Sequence, residues 1–556
     1  MIMQDPVSAI NIPDVDVWQL LFEQPKEFSR HKSTAKTLQL FSDPDLKLTT
    51  SQTFTSTMPP LPPTVSRMSS NKRSNLVFAS NSIEIPAVIW GTHYCGGTVF
   101  PMNPAYTAKE LTRQLLLSKT KAICTQRNFL PTVREAALEA GVSQAMTLIG
   151  PDESAGTNSL HDMLTLDVAP VPRLPVTSPE QDLAFLVFLS GTTGMPKAVK
   201  LTHRNVVSNI LMLKAAETEI SHDSGSQREG DRLLALLPFF HILDLSSLSE
   251  SRLIMLTGLM AVVHSSIYNG LQVVVMEQFR LKAFCQAVRH HRITYIHVVP
   301  LIILQLAKST IADRYDLSSI RMLVSAAAPL STELVHNLWE RRSIRVIQGY
   351  GLSETCAGTH MQSKRGNMTD KQMSETVGKL LLNMQARVVS AEGLDVPTGE
   401  QDELWLKGAT VFSCYLNDPK STSECFSADG FFMTGDIVVK DSDGYFNILD
   451  RIKELIKYKG FQVAPAELEG ILMCHPLAAD VCVIGVDDER QATQVPMACI
   501  SLDAIKRWYD AKVSNAKRLR GGIVMVDEIP KSAAGKTLHR VLEECVLASI
   551  KLKAKL

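Results

Sequence analysis

Short apolar runs alternate with stretches of helical periodicity from Asn75 to about residue 350, and this alternation limits the possible folds more than any other feature. The apolar runs include LVFAS, TVFPMNP, KAICT, LAFLVFLS, RLLALLPFF, LQVVVME, TYIHVVP, RMLVSAAAP and IRVIQGYG. Between them lie amphipathic stretches such as IPAVIWGTHYCGG, TAKELTRQLLLS and FCQAVRHHR. Strand, helix and strand in succession predict parallel strands joined by crossover helices. We therefore predict an α/β body.

The pattern changes on both sides of this body. After about Gln401 it becomes rich in strands and turns (DELWLKG, GFFMTGD, GYFNILD), which predicts a β subdomain. From about Ile452 a helix (APAELEGILMC), strands (ADVCVIGV, GGIVMVD) and a last helix after Lys536 indicate a small α+β domain. Residues 1–75 show no periodicity. Because 556 residues exceed what one core organises, we predict an irregular segment 1–75, a large domain 76–450 and a small C-terminal domain 451–556.

The composition is that of a soluble globular protein. Lys and Arg total 57, as do Asp and Glu, so the net charge indicates neither a nucleic-acid partner nor an anionic membrane. Ten scattered cysteines without a CxxC pair predict free thiols in a reducing compartment. The N-terminus does not resemble a secretory signal. The longest apolar run, near Leu253 to Val263, is too short to span a bilayer and is predicted to be core.

A loop rich in glycine and hydroxyl groups follows the strand LAFLVFL. It reads Ser190-Gly191-Thr192-Thr193-Gly194, and Lys197 lies three residues further on. Backbone N–H groups, hydroxyls and one ammonium could converge there on phosphate oxygens. The spacing is not that of a Walker loop, since no Gly immediately precedes Lys197 and no Ser or Thr directly follows it. An ordinary turn between two strands is the alternative.

The stretch SGTTGMPKAVKLTHRN resembles the signature of the adenylate-forming enzymes, which include acyl-CoA synthetases, 4-coumarate-CoA ligases, luciferases and the adenylation domains of peptide synthetases. The resemblance runs from about Asn75 to Arg540 and is greatest to fungal 4-coumarate-CoA-ligase-type acyl-CoA synthetases. It implies a large N-terminal α/β body with a small mobile C-terminal domain. It also implies that Lys197 and the Ser190–Gly194 loop hold ATP phosphates.

A second motif, Gln348-Gly349-Tyr350-Gly351-Leu352-Ser353-Glu354-Thr355, follows the apolar run IRVI. The carboxyl end of a strand is where α/β sheets bind ligands. The glycines let the backbone approach a nucleotide, and Tyr350 offers a face for adenine stacking. Glu354 is a hard oxygen ligand for Mg²⁺. The family usually has Thr where this chain has Ser353, so a hydroxyl is retained.

Other motifs are similar to the family's nucleotide-binding elements. Ser325 to Leu330 resembles the adenine-contacting segment, with Ala327 in it and with Ala326 where Gly is usual. If this position requires a positive φ, the methyl group of Ala326 would weaken ATP binding. Thr434-Gly435-Asp436 resembles the element whose carboxylate binds the ribose hydroxyls. In the match to the interdomain hinge, Asp450 to Gly460, Arg451 lies at the ribose and Lys453 is the pivot.

The remaining matches concern the acyl substrate and the thioester step. Pro530 to Lys536 resembles the terminal PKxxxGK motif, in which Lys536 bridges the carboxylate and the α-phosphate. Pro238-Phe239-Phe240-His241 resembles the PFFH element, with His241 near the entering carboxylate. Lys457, Lys459 and Gly460 would face the thioester step after the domain has rotated.

The resemblance implies an acyl-CoA ligase that forms an acyl-AMP from ATP and a carboxylic acid and then a thioester with CoA, in fatty-acid or secondary-metabolite (toxin-type) biosynthesis. ATP, Mg²⁺ and CoA are the implied cofactors and substrates. Catalysis would rest on positioning and charge stabilisation by Lys197, Glu354, His241 and Lys536. The acid itself is left open among fatty, aryl-propenoic and polyketide-derived acids.

Two departures from the family keep other functions open. About a dozen extra residues, LDLSSLSESRLIM, follow His241, and the C-terminal domain is shortened near Leu502. An inactive or weakened homologue that only binds nucleotide is one alternative, and a luciferase-like oxygenase is another. A peptide-synthetase module is disfavoured because the chain ends too soon after Lys536 for a carrier domain.

The C-terminal residues Ala554-Lys555-Leu556 resemble the Ser-Lys-Leu peroxisomal address. A lysine-rich tail that ends in Leu by chance is the alternative. In an acyl-CoA ligase the address predicts a peroxisomal protein that binds the import receptor, with the cytoplasm as the second location.

Overall fold

The fold is taken from a computed structural model of the chain. The structure describes residues 9–23, 36–41, 48–54, 74–120, 122–142, 146–149, 157–160, 173–174, 176–189, 197–216, 230–239, 257–326, 330–362, 369–452, 455–458, 461–473, 481–488, 493–499, 519, 522–524, 526, 542 and 546. The helices are Gln19–Glu23 (π), Ile85–Tyr94, Ala108–Ser118, Arg127–Phe129 (3₁₀), Leu130–Glu139, His203–Ala216, Thr257–Ser265 (π), Ser266–Tyr268, Leu281–His291, Pro300–Lys308, Ala312–Arg314 (3₁₀), Thr332–Arg342, Ser353–Thr355 (3₁₀), Asp370–Glu375, Pro419–Glu424 and Pro465–Met473.

The strands form four sheets within this part of the chain. They are β1 (Lys36–Phe41), β2 (Leu48–Phe54), β3 (Ser74–Phe78), β4 (Thr98–Met102), β5 (Ala122–Thr125), β6 (Met146–Leu148), β7 (Asn158–Ser159), β8 (Leu183–Leu189), β9 (Lys197–Thr202), β10 (Arg232–Ala235), β11 (Gln272–Met276), β12 (Tyr295–Val298), β13 (Met322–Ser325), β14 (Val346–Leu352), β15 (Ala357–Met361), β16 (Gly378–Leu380), β17 (Met384–Val389), β18 (Gln401–Gly408), β19 (Phe432–Lys440), β20 (Tyr445–Arg451), β21 (Ile456–Tyr458), β22 (Phe461–Val463), β23 (Cys482–Asp488), β24 (Thr493–Cys499) and β25 (Gly522–Val524).

The predicted parallel strands are present, but they belong to two sheets. A seven-stranded sheet has the order β7-β6-β5-β3-β4-β8-β9, with β9 antiparallel to β8. The strand β3 pairs in parallel with β4 and β5, and the helices Ile85–Tyr94 and Ala108–Ser118 form the connections. Apolar side chains from both faces of β3 are buried, as a parallel sheet covered on both sides requires. The α/β fold class is confirmed.

A thirteen-stranded sheet changes from parallel to antiparallel pairing at β14. On one side β14 is parallel to β13, and on the other it is antiparallel to β15. The antiparallel part continues through β16, β20, β19, β18 and β17. The β subdomain thus starts near Ala357, earlier than the predicted Gln401, because the 3₁₀ turn Ser353–Thr355 reverses the chain directly after β14.

The prediction of an irregular N-terminal segment is wrong where the structure describes it. Strand β1 pairs in parallel with β11, and β2 pairs with β1 and forms the edge of the thirteen-stranded sheet. Main-chain pairing at an edge does not require an apolar alternation, and the Thr-rich stretch LTTSQTF suits an extended chain. Further upstream, Val17 and Leu20 are buried, and Trp18 packs edge-on against Tyr94 with their centroids 4.8 Å apart.

The C-terminal region forms small β units and a helix, as an α+β domain requires. The strands β21 and β22 form a hairpin, while β23, β24 and β25 form a separate sheet. The helix Pro465–Met473 packs against β23 through Leu468 and Leu472, which are buried.

The apolar run near Leu253 to Val263 is core where it is described. Leu259, Met260 and Val262 are buried in the π-helix Thr257–Ser265. No helix within the described ranges is long and apolar enough to cross a membrane. In the same part of the chain, none of the eight cysteines is joined in a disulfide.

Three buried histidines lie together beneath the seven-stranded sheet. The ring centroids of His93 and His203 are 5.1 Å apart, and those of His93 and His264 are 6.5 Å apart. His203 Nδ1 accepts a hydrogen bond from Val17 N, and His264 Nδ1 contacts the Leu259 carbonyl at 2.7 Å. Burial lowers the pKa of His203 to about 3 and that of His264 to about 4, so both rings are neutral near pH 7.

These histidines predict a loss of stability in mild acid. Below pH 6.5 these histidines bind protons in the unfolded chain but not in the folded chain. The free energy of unfolding therefore falls by about 1.4 kcal/mol for each histidine and each pH unit. His264→Leu should therefore lower the pH dependence of the free energy of unfolding by about one proton between pH 6 and 5. Urea unfolding at both pH values measures it, and an unchanged slope would contradict the assignment.

Candidate active site

The site begins where β14 ends in a buried turn. Ser353, Glu354 and Thr355 form one turn of 3₁₀ helix, and all three are buried. Thr355 Oγ1 accepts a hydrogen bond from Leu352 N at 2.8 Å, which fixes the start of the turn. The turn therefore holds Glu354 at the carboxyl end of the last parallel strand, where α/β sheets bind ligands.

Close backbone packing at Gly351 sets the course of this turn. A Cβ at Gly351 would lie 1.6 Å from the Ala357 carbonyl oxygen, a distance at which atoms overlap. Ala357 itself has φ of +87°, outside the region that residues with a side chain normally adopt. At Gly349, in contrast, a Cβ would lie 3.3 Å from the His360 oxygen, a tight but tolerable distance. The requirement for glycine is therefore strict at Gly351.

The carboxylate of Glu354 has one satisfied and one unsatisfied oxygen. Tyr415 Oη donates a hydrogen bond to Glu354 Oε1 at 2.9 Å. Glu354 Oε2 is buried and has no hydrogen-bond partner among the described residues. A buried carboxylate oxygen without a partner is costly, and a cation is the ligand that would satisfy it.

The surroundings of Glu354 fit Mg²⁺ shared with a nucleotide better than a cation held by protein alone. In the described part of the chain, no group of three or more His, Cys, Asp or Glu side chains could hold a metal ion. Mg²⁺ is commonly bound by one or two carboxylates together with substrate phosphates and water. A single free carboxylate oxygen fits that mode.

Tyr415 links Lys197 to this carboxylate. The ammonium of Lys197 is 5.0 Å from the centroid of the Tyr415 ring, the distance of a cation–π contact. Main-chain hydrogen bonds from Lys200 N to Cys414 O and from Leu416 N to Ala198 O dock the Tyr415 segment onto β9. The structure thus brings together the lysine of the first motif and the glutamate of the second.

A second cluster joins Tyr350 to Asp436 and Arg451. Tyr350 Oη donates to Asp436 Oδ2 at 2.5 Å, and Arg451 Nε donates to Asp436 Oδ1 at 3.1 Å. Asp436 and Arg451 are direct partners on β19 and β20. Burial, together with the Asp436 carboxylate, raises the pKa of Tyr350 well above 10, so the phenol remains a donor. Each carboxylate oxygen retains a lone pair for a further hydroxyl group.

Tyr350→Phe should weaken this cluster without removing the ring. The Asp436 oxygen loses a buried donor, which costs about 1 to 3 kcal/mol of stability. We expect a lower urea midpoint and weaker ATP binding, measured by isothermal titration. The control is His360→Phe, which replaces a buried ring that packs against Tyr350 with the ring centroids 5.6 Å apart. It leaves the Tyr350 hydroxyl in place. Equal ATP affinity in wild type and Tyr350→Phe would contradict a role for the hydroxyl.

Gln348 and Ser353, two other predicted residues of the second motif, are held within the protein interior. Gln348 Nε2 donates to Ser374 O at 3.1 Å, and Gln348 N donates to Gln362 Oε1 at 2.8 Å. Ser353 is fully buried beside Glu354. Gln348 therefore fixes the start of the motif against the antiparallel part of the sheet.

The substitution of Ala326 for glycine is free of backbone strain. Described residues with a side chain and a positive φ do not include Ala326. The conditional prediction that a methyl group weakens ATP binding by strain therefore does not apply.

Many predicted site residues lie outside the described residues. They are Ser190, Gly191, Thr192, Thr193, Gly194, His241, Ala327, Lys453, Lys459, Gly460, Lys536, Ala554, Lys555 and Leu556, together with the insertion after His241. Lys457 is described in its backbone, where it pairs with Gln462 between β21 and β22. The roles of these residues stay predictions.

Two residues of the site were missed in the sequence. Tyr415 bridges Lys197 and Glu354, and Glu403 Oε1 accepts a hydrogen bond from Gly435 N at 2.9 Å. Gly435 has φ of +75°, so Glu403 holds the turn before Asp436. Glu403 lies in the predicted strand DELWLKG, but that pattern gives no sign of a role at Asp436, and Tyr415 lies outside the predicted motifs. Only their contacts identify the two residues.

Two family matches cover most of the chain. A family described as AMP-binding enzyme matches residues 72–416, and one described as AMP-binding enzyme C-terminal domain matches residues 467–536. The first match contains Lys197, Glu354 and Tyr415, and the second contains Lys536.

Relatives and solved structures agree with these matches. The chain is 33% identical over 493 residues to a protein of Dictyostelium discoideum named probable 4-coumarate–CoA ligase 1, with 84% of this chain and 85% of the relative covered. The anthranilate CoA ligase AuaEII with anthranoyl-AMP is similar at a TM-score of 0.80 and 21% identity, over 97% and 99% of the two chains. ATP-bound MatB from Rhodopseudomonas palustris is similar at a TM-score of 0.78 and 22% identity, over 96% and 99%.

These findings confirm the predicted fold of a large N-terminal body with a small C-terminal domain, and the predicted enzyme class, that of the AMP-forming acid–thiol ligases. The chain belongs to the AMP-binding, adenylate-forming enzyme family.

Proposed function

We propose that the chain is an acyl-CoA ligase with two half-reactions. In the first, a carboxylate and ATP give acyl-AMP and pyrophosphate. In the second, the CoA thiol attacks the acyl-AMP and gives the acyl-CoA thioester, AMP and a proton. The observation that supports this most is the buried Glu354 oxygen without a partner, next to the tyrosine that contacts Lys197.

The first half-reaction follows from the charges of the site. A carboxylate is a poor acyl donor because its leaving group would be oxide, and AMP replaces it as the leaving group. Lys197 is proposed to hold the β- and γ-phosphates, while Asp436 and Arg451 hold the ribose. Mg²⁺ bound at Glu354 would neutralise phosphate charge. Lys536 is proposed to orient the carboxylate against the α-phosphate, so the protein supplies position and charge rather than a nucleophile.

The second half-reaction requires Lys536 to leave the site. We propose that the C-terminal domain turns about Lys453 and brings Lys457, Lys459 and Gly460 to the CoA thiol. One small domain would then serve both half-reactions. His241 is proposed to lie near the entering carboxylate.

The acid is proposed to be an aryl-propenoic or fatty acid. The Dictyostelium relative is named for 4-coumarate, an aryl-propenoic acid. The pathway setting proposed for this chain is fatty-acid or secondary metabolism.

The experiment is a thioester assay on purified protein. Mass spectrometry would follow acyl-CoA formation from ATP, Mg²⁺, CoA and single acids of graded length and aromaticity. Omitting ATP is the control for uncatalysed transfer. Thioester from one class of acid supports the proposal and names the substrate. Acyl-AMP without thioester would limit the function to adenylation.

We also propose a peroxisomal location, with the import receptor as partner of Ala554-Lys555-Leu556. The test is a fluorescent fusion at the N-terminus, expressed with and without the last three residues. Punctate fluorescence that becomes diffuse on deletion supports the proposal. Diffuse fluorescence of both forms would assign the protein to the cytoplasm.

A further inference from the structure

We propose that Tyr415 is a positioning residue that couples the phosphate-binding lysine to the metal-binding carboxylate. Its hydroxyl contacts Glu354 and its ring contacts Lys197, so one side chain touches both groups. This inference rests on the proposed function, since it assigns Lys197 to ATP phosphate and Glu354 to Mg²⁺.

The hydroxyl of Tyr415 decides which oxygen of Glu354 is available. The bond of 2.9 Å goes to Oε1, and Oε2 is left buried without a partner. A carboxylate that accepts one fixed hydrogen bond cannot rotate freely, and outer partners of this kind orient metal ligands. Tyr415 therefore presents one defined oxygen to the cation.

The ring of Tyr415 places the Lys197 ammonium in the same way. The ammonium is 5.0 Å from the ring centroid, so the negative face of the ring attracts it. Because Lys197 is the first residue of β9, its backbone is fixed by the strand, and the ring limits where its long side chain can extend. Lysine and carboxylate are thus aligned before a nucleotide arrives.

The surroundings of Tyr415 hold it rigidly enough for this task. Tyr415 N donates to Thr422 Oγ1 at 3.0 Å, and the Phe412 ring packs behind it with the centroids 4.8 Å apart. The next residue, Leu416, bonds through its N–H to Ala198 O on β9 at 2.8 Å. Phe412 N also donates to Glu354 O at 2.7 Å, so the same loop contacts the glutamate turn twice.

The test is the Mg²⁺ dependence of ATP binding, measured by displacement of a fluorescent ATP analogue. Tyr415→Phe keeps the ring and removes the hydroxyl. We expect the Mg²⁺ concentration for half-maximal binding to rise about tenfold, as for other outer partners of metal ligands, with binding in EDTA unchanged. Tyr415→Leu also removes the ring, so binding in EDTA should weaken as well. Binding needs no turnover, so this readout is independent of activity.

A matched control is available at the start of β20, in the thirteen-stranded sheet. The ring of Tyr445 also carries a lysine, Lys379, whose ammonium lies 4.8 Å from the centroid. Tyr445→Phe should change neither the Mg²⁺ dependence nor binding in EDTA. Thermal unfolding would verify that the variants fold. If Tyr415→Leu does not fold, Tyr415→Phe alone tests the inference.

The results separate this inference from the proposed function. If wild-type protein binds ATP with Mg²⁺ but activates no acid, the ligase proposal fails. The Mg²⁺ dependence of ATP binding can still be compared between wild type and Tyr415→Phe, so the inference about Tyr415 is still tested. A Mg²⁺ dependence of Tyr415→Phe equal to that of wild type would overturn the inference. Wild-type ATP binding that is indifferent to Mg²⁺ would overturn it as well.

Discussion

Glu354→Gln is expected to slow acid-dependent ATP–pyrophosphate exchange by about 100- to 1,000-fold, the scale seen when one preorganised charge-stabilising group is lost. The amide keeps the size of the side chain and can still accept the Tyr415 hydrogen bond. It removes the negative charge beside the unsatisfied oxygen, so the cation loses its ligand. Steady-state exchange at saturating acid measures the effect.

A second glutamate controls for this change. Glu424 ends the nearby helix Pro419–Glu424 and its side chain is 62% exposed. Glu424→Gln should leave exchange unaltered, since its only ion pair is a surface contact of 3.9 Å with Lys420 among the described residues. Exchange by Glu354→Gln at the wild-type rate would remove Glu354 from the proposed mechanism.

Gly351→Ala is expected to lower the free energy of unfolding by about 3 kcal/mol or more, because overpacked backbone must move apart. The added Cβ would lie 1.6 Å from the Ala357 oxygen. The shift would occur between β14 and β15 and would displace the Glu354 turn, so activity should fall as well. Urea unfolding measures the stability.

Gly349→Ala on the same strand is the matched control for stability. Its Cβ would meet the His360 oxygen at 3.3 Å, so a shift of a few tenths of an ångström is enough. The expected loss is below about 1 kcal/mol. Equal losses from the two substitutions would show that the contact with Ala357 does not set the turn.

The parallel strands could be predicted because they are buried on both faces. Continuous apolar runs such as LAFLVFL in β8 have that cause, and every residue of β8 except Leu183 is buried. The motif around Gly351 could be predicted for a related reason. Glycines at a strand end permit the close backbone contacts that the structure contains.

Other features depend on contacts that a linear pattern does not contain. Strand β1 is fixed by main-chain pairing with β11, more than 200 residues away in the sequence. Tyr415 acquires its position from Thr422, Phe412 and β9. A single aromatic residue in a loop carries no periodicity, so its link between Lys197 and Glu354 could be found only in three dimensions.

The proposed function depends above all on adenylation of a carboxylic acid by this chain. The direct test is ATP–pyrophosphate exchange by purified protein across fatty and aromatic acids, with Lys536→Ala as the comparison. We expect exchange that depends on the acid in wild type and is lost in Lys536→Ala. Measurable ATP binding without exchange for any acid would contradict it and would favour a homologue that only binds nucleotide.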